Sequence, residues 1–142
     1  MDFLMSLGFK SLLLSIALVG ILSFVPTGVS YASDFSASFE WGKIKRCTTG
    51  YPGKVPNPIF TLHGVPAETV RLKFRMQDLN APSYQHGGGT IVWDGDNLIE
   101  AGGFTYLSPC PPGGSHTYRW TIQAIDSNGD VIAKTSTKKQ YP

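Results

Sequence analysis

Residues 70–78 read Val-Arg-Leu-Lys-Phe-Arg-Met-Gln-Asp, and apolar and polar side chains alternate along the whole stretch. A period of two residues places successive side chains on opposite faces of a β-strand. One face of this strand is therefore apolar and suited to a core, while the other is basic and suited to solvent. The pattern predicts a half-buried antiparallel strand.

The same alternation returns further along the chain. Residues 116–126 place tyrosine, tryptophan and isoleucine on one face, and an Asn-Gly pair follows, which is the strongest short-range signal for a hairpin turn. Residues 131–137 are then the return strand, and the rest of the chain after residue 32 has no helical periodicity. We therefore predict an all-β fold, an antiparallel β-sandwich. Shorter runs predict further strands at 35–41, 59–62, 90–93 and 104–106.

The composition limits the function classes. The chain has 142 residues with 42% hydrophobic and 15% charged residues, and a formal net charge of +2. The hydrophobic content and the small net charge argue against intrinsic disorder. A net charge this small also gives no electrostatic case for a dedicated nucleic-acid binder. The length fits one domain.

The N-terminal region has the pattern of a secretory signal peptide. An uncharged apolar run, residues 11–25, follows Lys10, and small residues precede a cleavage position after Ala32. The run is shorter than the roughly 20 residues that span a bilayer as a helix, although an uncleaved anchor is the alternative. We predict a signal peptide at 1–32, a domain at 33–142, and export to the periplasm or the extracellular space.

The predicted mature domain contains two cysteines, Cys47 and Cys110. Their separation matches neither a zinc-binding nor a redox CxxC pattern. An oxidising compartment favours a disulfide between them, and two separate buried thiols are the alternative.

Polar residues occupy core-facing positions at the ends of the two long strands. Asp78 is in phase with the apolar face of its strand, and His116 is in phase with the apolar face of the other. A buried carboxylate is costly unless it is hydrogen-bonded, and the end of a sandwich is a common mouth for a pocket. Between them, residues 84–89 read Tyr-Gln-His-Gly-Gly-Gly, and glycine N–H groups can point at an anion. The alternatives are a turn-capping Asp, structural histidines and a flexible glycine turn.

Three short strings around these residues resemble one protein family. Residues 78–82 read Asp-Leu-Asn-Ala-Pro with a histidine soon after, residues 109–118 read Pro-Cys-Pro-Pro-Gly-Gly-Ser-His-Thr-Tyr, and residues 60–66 read Phe-Thr-Leu-His-Gly-Val-Pro. They resemble the motifs D-x-D-A-P, G-P-x-P-x-x-G-x-H-x-Y and the strand-then-GVP turn of the phosphatidylethanolamine-binding protein family, which includes the Raf kinase inhibitor proteins and small bacterial relatives. The resemblance spans roughly residues 57–126.

The resemblance implies antiparallel sheets that frame a small pocket for phosphate, acetate or a phospholipid head group. A histidine pair can donate N–H bonds to such an oxyanion, and a carboxylate can orient the imidazoles and favour their charged form. Glycine N–H groups are expected to add donors. The predicted ligand-binding residues are Asp78, His86, Gly87, Gly88, His116 and Tyr118.

The sequence departs from the family pattern at several positions. Asn80 replaces the second Asp of the first motif, Gly87 stands where the family has Trp, and Ser108 replaces a Gly. The chain also stops soon after the last hairpin, so we expect a fold truncated at the C-terminus, without the helix that closes the site in eukaryotic members. An anion pocket is the property that we carry over, in preference to head-group specificity or kinase inhibition.

These observations predict an exported binding protein that is not an enzyme and uses no cofactor or metal. Its expected partner is a small anion or a phospholipid head group, with no nucleic acid and no protein partner that the sequence identifies. One alternative is a metal-dependent hydrolase that uses Asp78, His86 and His116, since such a set can hold a divalent ion with an open position. Another is a structural or interaction β-domain.

The basic stripe of the first strand has two interpretations. Arg71, Lys73 and Arg75 form either a solvated strand face or a patch for anionic lipid, which would give the protein a peripheral membrane contact.

Overall fold

The computed structural model describes residues 34–142. The predicted signal peptide, its cleavage after Ala32 and the anchor alternative lie outside the described residues. Within them, no helix has the length and apolar character needed to cross a membrane.

The described part of the chain is built from antiparallel strands joined by loops and turns, and it contains no α-helix. The nine strands are β1 Ser36–Glu40, β2 Lys54–Pro56, β3 Ile59–His63, β4 Arg71–Asp78, β5 Gln85–Val92, β6 Leu98–Ile99, β7 Thr105–Leu107, β8 His116–Ile125 and β9 Val131–Tyr141. The prediction of an all-β antiparallel fold is confirmed.

The strands form three sheets. A four-stranded sheet has the order β5-β4-β8-β9, a three-stranded sheet has the order β1-β3-β6, and β2 pairs with β7. The two strands predicted from the clearest alternation, β4 and β8, are neighbours at the centre of the larger sheet, where Leu72 pairs with Ala124 and Phe74 with Ile122.

The core lies between the apolar faces of the two larger sheets. The ring of Phe60 on β3 lies 4.8 Å from that of Phe74 on β4 and 5.3 Å, edge to face, from that of Trp120 on β8. All three side chains are at most 2% exposed. Burying large aromatic rings in these tilted and edge-to-face arrangements stabilises the sandwich.

Strand β5 begins earlier than the predicted 90–93 segment and includes the three glycines. Gly88 and Gly89 pair with Arg75 and Phe74 of β4. A Cβ at Gly88 would overlap the carbonyl oxygen of Phe74, and a Cβ at Gly89 would overlap the side chain of Phe104. The glycines therefore form part of a strand into which neighbouring groups pack closely, and they do not form a flexible turn.

Candidate functional site

A cleft of about 210 Å³ lies at one edge of the four-stranded sheet. Asp78 is the last residue of β4, while His86 and His116 lie at the starts of β5 and β8, so the antiparallel pairing brings all three to the same edge. The cleft is lined by these three and by Gly50, Pro52, Ala81, Tyr84, Cys110, Pro111, Pro112 and Tyr118.

The Asp78 carboxylate uses its two oxygens for different purposes. Oδ2 accepts a hydrogen bond from Nδ1 of His116 at 2.7 Å. Oδ1 accepts from the backbone N–H groups of Asn80 at 2.8 Å and Ala81 at 3.2 Å. Asp78 therefore caps the turn that follows β4 and also lines the cleft.

Asp78 remains ionised although it is only 3% exposed. Burial by itself raises the pKa of its carboxyl group, but the hydrogen bonds from His116, Asn80 and Ala81 and the charge of His116 outweigh burial and lower the pKa below its ordinary value. Because the carboxylate accepts the Nδ1 proton of His116, the Nε2 atom of that ring is the one left for a ligand.

A β-bulge places His86 in the cleft. Arg75 pairs with Gly88 and Gln77 with Gln85, so His86 and Gly87 together face the single residue Met76. Gly87 has φ of 83°, which L side chains rarely adopt. The extra residue shifts the alternation of β5 by one position, and His86 therefore turns to the inner face, where it is only 4% exposed.

The position of the His86 proton follows from its partner. Nδ1 lies 2.9 Å from the carbonyl oxygen of Leu107, and because a carbonyl only accepts, Nδ1 is the donor. In the neutral ring, Nε2 is then an acceptor. Burial lowers the pKa of His86, although the bond to Leu107 and the charge of Asp78 oppose this effect.

Tyr118 forms the inner wall of the cleft. Its ring lies 5.4 Å from that of His86, almost perpendicular to it, and 6.3 Å from that of His116. The side chain is fully buried, and its hydroxyl has no hydrogen-bond partner of normal geometry within residues 34–142. Burial and then the nearby charge of Asp78 raise its pKa, so the hydroxyl keeps its proton and can donate it to a ligand.

The structure does not bring Gly87 and Gly88 into the cleft. They line a separate shallow depression with Lys73 and Arg75 on the outer surface of the sheet. Asn80, at the position of the family's second Asp, is also absent from the lining. Its Oδ1 accepts the backbone N–H of Thr117 at 2.9 Å and so ties the 78–81 turn to β8.

The sequence reasoning missed one wall of the cleft. Cys47 and Cys110 form a disulfide, as the sequence favoured, and Cys110 itself lines the cleft. The bond fixes the loop between β1 and β2, from which Gly50 and Pro52 reach the cleft. The disulfide predicted from the sequence already linked this loop to residues 109–118. The sequence alone does not say which residues of the loop line the cleft.

The arrangement does not favour the metal-site alternative. Within residues 34–142, no three His, Cys, Asp or Glu side chains are grouped so that they could hold a metal ion. The Nδ1 atoms of both histidines and both oxygens of Asp78 already have protein partners.

The sequence and the structure were compared with those of known proteins, and only the structure has matches. No protein-family model matches the sequence, and no curated protein matches it significantly. Among solved structures, CT736 of Chlamydia trachomatis, described as a candidate phosphatidylethanolamine-binding protein homolog, is 14% identical with a TM-score of 0.56 over 78% of this chain and 99% of that one. YbcL of E. coli, described as a new member of the mammalian family, is 16% identical with a TM-score of 0.53 over 75% and 97%.

These likenesses cover most of the chain, and they establish that it has the fold of the phosphatidylethanolamine-binding proteins. The family resemblance carried by the sequence motifs is thus confirmed at the level of the fold.

Proposed function

We propose that the protein binds a small oxyanion in the cleft: a phosphate, a carboxylate or the phosphate of a phospholipid head group. The buried Tyr118 hydroxyl carries this proposal: it lies near Asp78 and Cys110 but makes no hydrogen bond of normal geometry within residues 34–142. A buried polar group that is poorly hydrogen-bonded costs free energy, and an anion in the cleft would supply a better acceptor.

Two imidazoles support the same ligand. In their protonated forms, His86 and His116 each offer an Nε2–H donor, and the hydrogen bond to the Asp78 carboxylate holds the His116 ring in place. The volume of about 210 Å³ is below the roughly 300–1,000 Å³ of sites for drug-sized ligands, and it suits a ligand the size of a phosphate.

The cleft is proposed to bind its ligand without catalysing a reaction. The residues that line it include no serine or threonine, the sulfur of Cys110 belongs to the disulfide, and the raised pKa of Tyr118 keeps its phenol protonated. None of these groups is an activated nucleophile. We expect no hydrolysis of p-nitrophenyl phosphate or p-nitrophenyl acetate, and turnover that is lost in His116→Gln would contradict this.

Calorimetric titration near pH 6.5 tests the binding proposal, with phosphate and O-phosphorylethanolamine as ligands and with buffer anions removed. We expect saturable binding that falls roughly tenfold or more in Tyr118→Phe, which removes only the hydroxyl, because hydrogen bonds to charged groups contribute about 1.5–3 kcal/mol. The variant His116→Gln should also lose affinity for phosphate. Its matched control is His63→Gln, which should keep the wild-type affinity because His63 is exposed at the end of β3. Flat heats from the folded protein would favour the structural-domain alternative.

The two ligands distinguish a head group from a free anion. Tighter binding of O-phosphorylethanolamine would assign the cleft to a phospholipid head group, whereas equal or tighter binding of phosphate would assign it to the anion alone.

Export is part of the same proposal, and the disulfide supports it because such bonds persist in oxidising compartments. When the full chain is expressed in a secreting host, we expect a secreted protein whose N-terminal sequence begins at Ser33 and whose mass is that of residues 33–142. Retention in the membrane with residues 1–32 attached would instead support the anchor alternative.

A further inference from the structure

The outer face of the four-stranded sheet is more basic than the sequence stripe alone indicates. Strand pairing places Lys73 level with Gln123 and Lys134, and it places Gln77 level with Arg119 and Lys138. Three more cations therefore join the stripe of β4 across two neighbouring strands. The basic face, as we name it, consists of the exposed side chains of Arg71, Lys73, Arg75, Arg119, Lys134 and Lys138.

No carboxylate of the described chain forms an ion pair with these cations. Within residues 34–142 the ion pairs are His116–Asp78 and Lys139–Glu40, and neither involves the basic face. Arg75 and Arg119 donate to the neutral side-chain oxygens of Gln85 and Gln77, which orient the guanidinium groups without cancelling their charge. Two acidic residues, Asp126 and Asp130, lie close to the Arg71 end of the basic face. They belong to the turn between β8 and β9, outside the paired strands.

The cations are spread in two dimensions and do not follow a line. Neighbouring strands lie about 4.8 Å apart and each residue advances about 3.3 Å, so β4, β8 and β9 present them over roughly 10 by 20 Å. A planar array of this kind complements a planar anionic surface. Single-stranded nucleic acid favours aromatic stacking platforms, and the outward positions that separate these cations, among them Gln77, Thr121 and Ser136, carry no aromatic ring. A second copy of this face would oppose cations with cations.

We propose that the basic face docks the protein on an anionic lipid bilayer, with its lysines and arginines against the head-group phosphates. This inference does not depend on the anion cleft, because Asp78, His86 and Tyr118 lie on the inner side of the same sheet. Attraction of this kind grows with the number of cations near the surface and is screened by salt.

Vesicle co-sedimentation tests the proposal, using the secreted protein as its host processes it. The wild type should bind phosphatidylcholine vesicles that contain phosphatidylglycerol, should not bind pure phosphatidylcholine, and should be released by raised salt. The variant K73Q/K134Q/K138Q should lose at least roughly tenfold in partitioning, given the usual contribution of each cation at an anionic membrane. The matched control K43Q/K45Q/K54Q removes the same charge from exposed positions off this face and should bind like the wild type.

Equal losses in the two triple variants would overturn the proposal, because binding would then follow net charge alone. Absence of wild-type binding at low salt would also overturn it, as would tighter binding of the face to a single-stranded oligonucleotide than to vesicles. If K73Q/K134Q/K138Q does not fold, K73R/K134R/K138R replaces it and must retain binding. His116→Gln should keep vesicle binding while it loses phosphate, so the failure of one proposal is distinguishable from the failure of the other.

Discussion

Oδ2 of Asp78 lies 2.7 Å from Nδ1 of His116, and this contact joins the last residue of β4 to the first residue of β8. Asp78 pairs directly with Tyr118, so the imidazole reaches it along the diagonal of the antiparallel pair. The same carboxylate also closes the turn that follows β4. The Asp78 side chain therefore both stabilises the turn after β4 and orients the His116 ring, which is proposed to donate a hydrogen bond to the ligand.

Replacement of this carboxylate should damage both roles. In Asp78→Asn, the hydrogen bonds from His116, Asn80 and Ala81 are no longer made to a charged acceptor, and the free energy of unfolding should fall by about 2 kcal/mol. Phosphate affinity should fall by roughly tenfold or more, since the anion loses a charge-assisted donor. Urea denaturation and calorimetric titration measure the two effects.

Glu68→Gln is the matched control for that loss of charge, because Glu68 is exposed between β3 and β4. It should leave both quantities unchanged. If Asp78→Asn behaves like Glu68→Gln, the carboxylate does not organise the cleft.

The bulge at Gly87 should be sensitive to a single methyl group. In Gly87→Ala, the backbone must either keep φ near 83°, at about 1–2 kcal/mol, or abandon the bulge that turns His86 inward. We expect a loss of stability of this size together with weaker phosphate binding. Gly53→Ala is the control, since Gly53 has an ordinary φ and a Cβ there meets open space. A stable Gly87→Ala protein with normal affinity would show that the bulge does not position His86.

Stability should depend on pH through His86. Its pKa in the folded protein is below the ordinary value of 6.5, because burial disfavours the charged ring. The unfolded chain therefore takes up a proton that the folded chain resists, so the full contribution is present above about pH 6.5 and is lost as the pH falls. Thermal melting between pH 7 and pH 5 should show this decline in the wild type and a smaller one in His86→Asn.

Phosphate should offset that acid destabilisation, because the bound anion favours the protonated imidazoles. Identical pH profiles for the wild type and His86→Asn, with and without phosphate, would contradict the assigned role of His86.

The disulfide should stabilise the fold and the cleft together. Cys47 and Cys110 are 63 residues apart, and the chain-entropy estimate for a loop of that length is about 4 kcal/mol. In Cys47→Ala/Cys110→Ala, denaturation should occur at lower urea concentration, and phosphate affinity should fall as the loop that carries Gly50 and Pro52 loosens. Unchanged affinity in the folded double variant would remove this loop from the binding site.

The sequence predicted the centre of the molecule well. The alternation in β4 and β8 is long and strongly amphipathic, and it also placed Asp78 and His116 correctly on the inner face at one sheet edge. Such patterns are informative because one face of the sheet must be buried. The short strands β2 and β6 escaped prediction, since two or three residues are too few to establish a period.

The route by which His86 reaches the cleft could not be predicted. Strict alternation in β5 puts His86 on the outer face, and only the bulge at Gly87 reverses it. The three glycines signalled special backbone geometry but not its kind, since their conformations depend on the neighbouring chain at Phe74 and Phe104. The roles of Asn80 and of the disulfide loop also depend on contacts between segments distant in sequence.

The central claim is that an anion binds between His86 and His116. Nitrogen-15 NMR of the histidine rings during a phosphate titration near pH 6.5 tests it most directly, because the exposed His63 is an internal control. We predict that the Nε2 signals of His86 and His116 move toward the protonated form along one shared saturable curve, while His63 stays in place. If the two signals do not move, or if all three histidines drift together without saturation, the cleft is not an anion site.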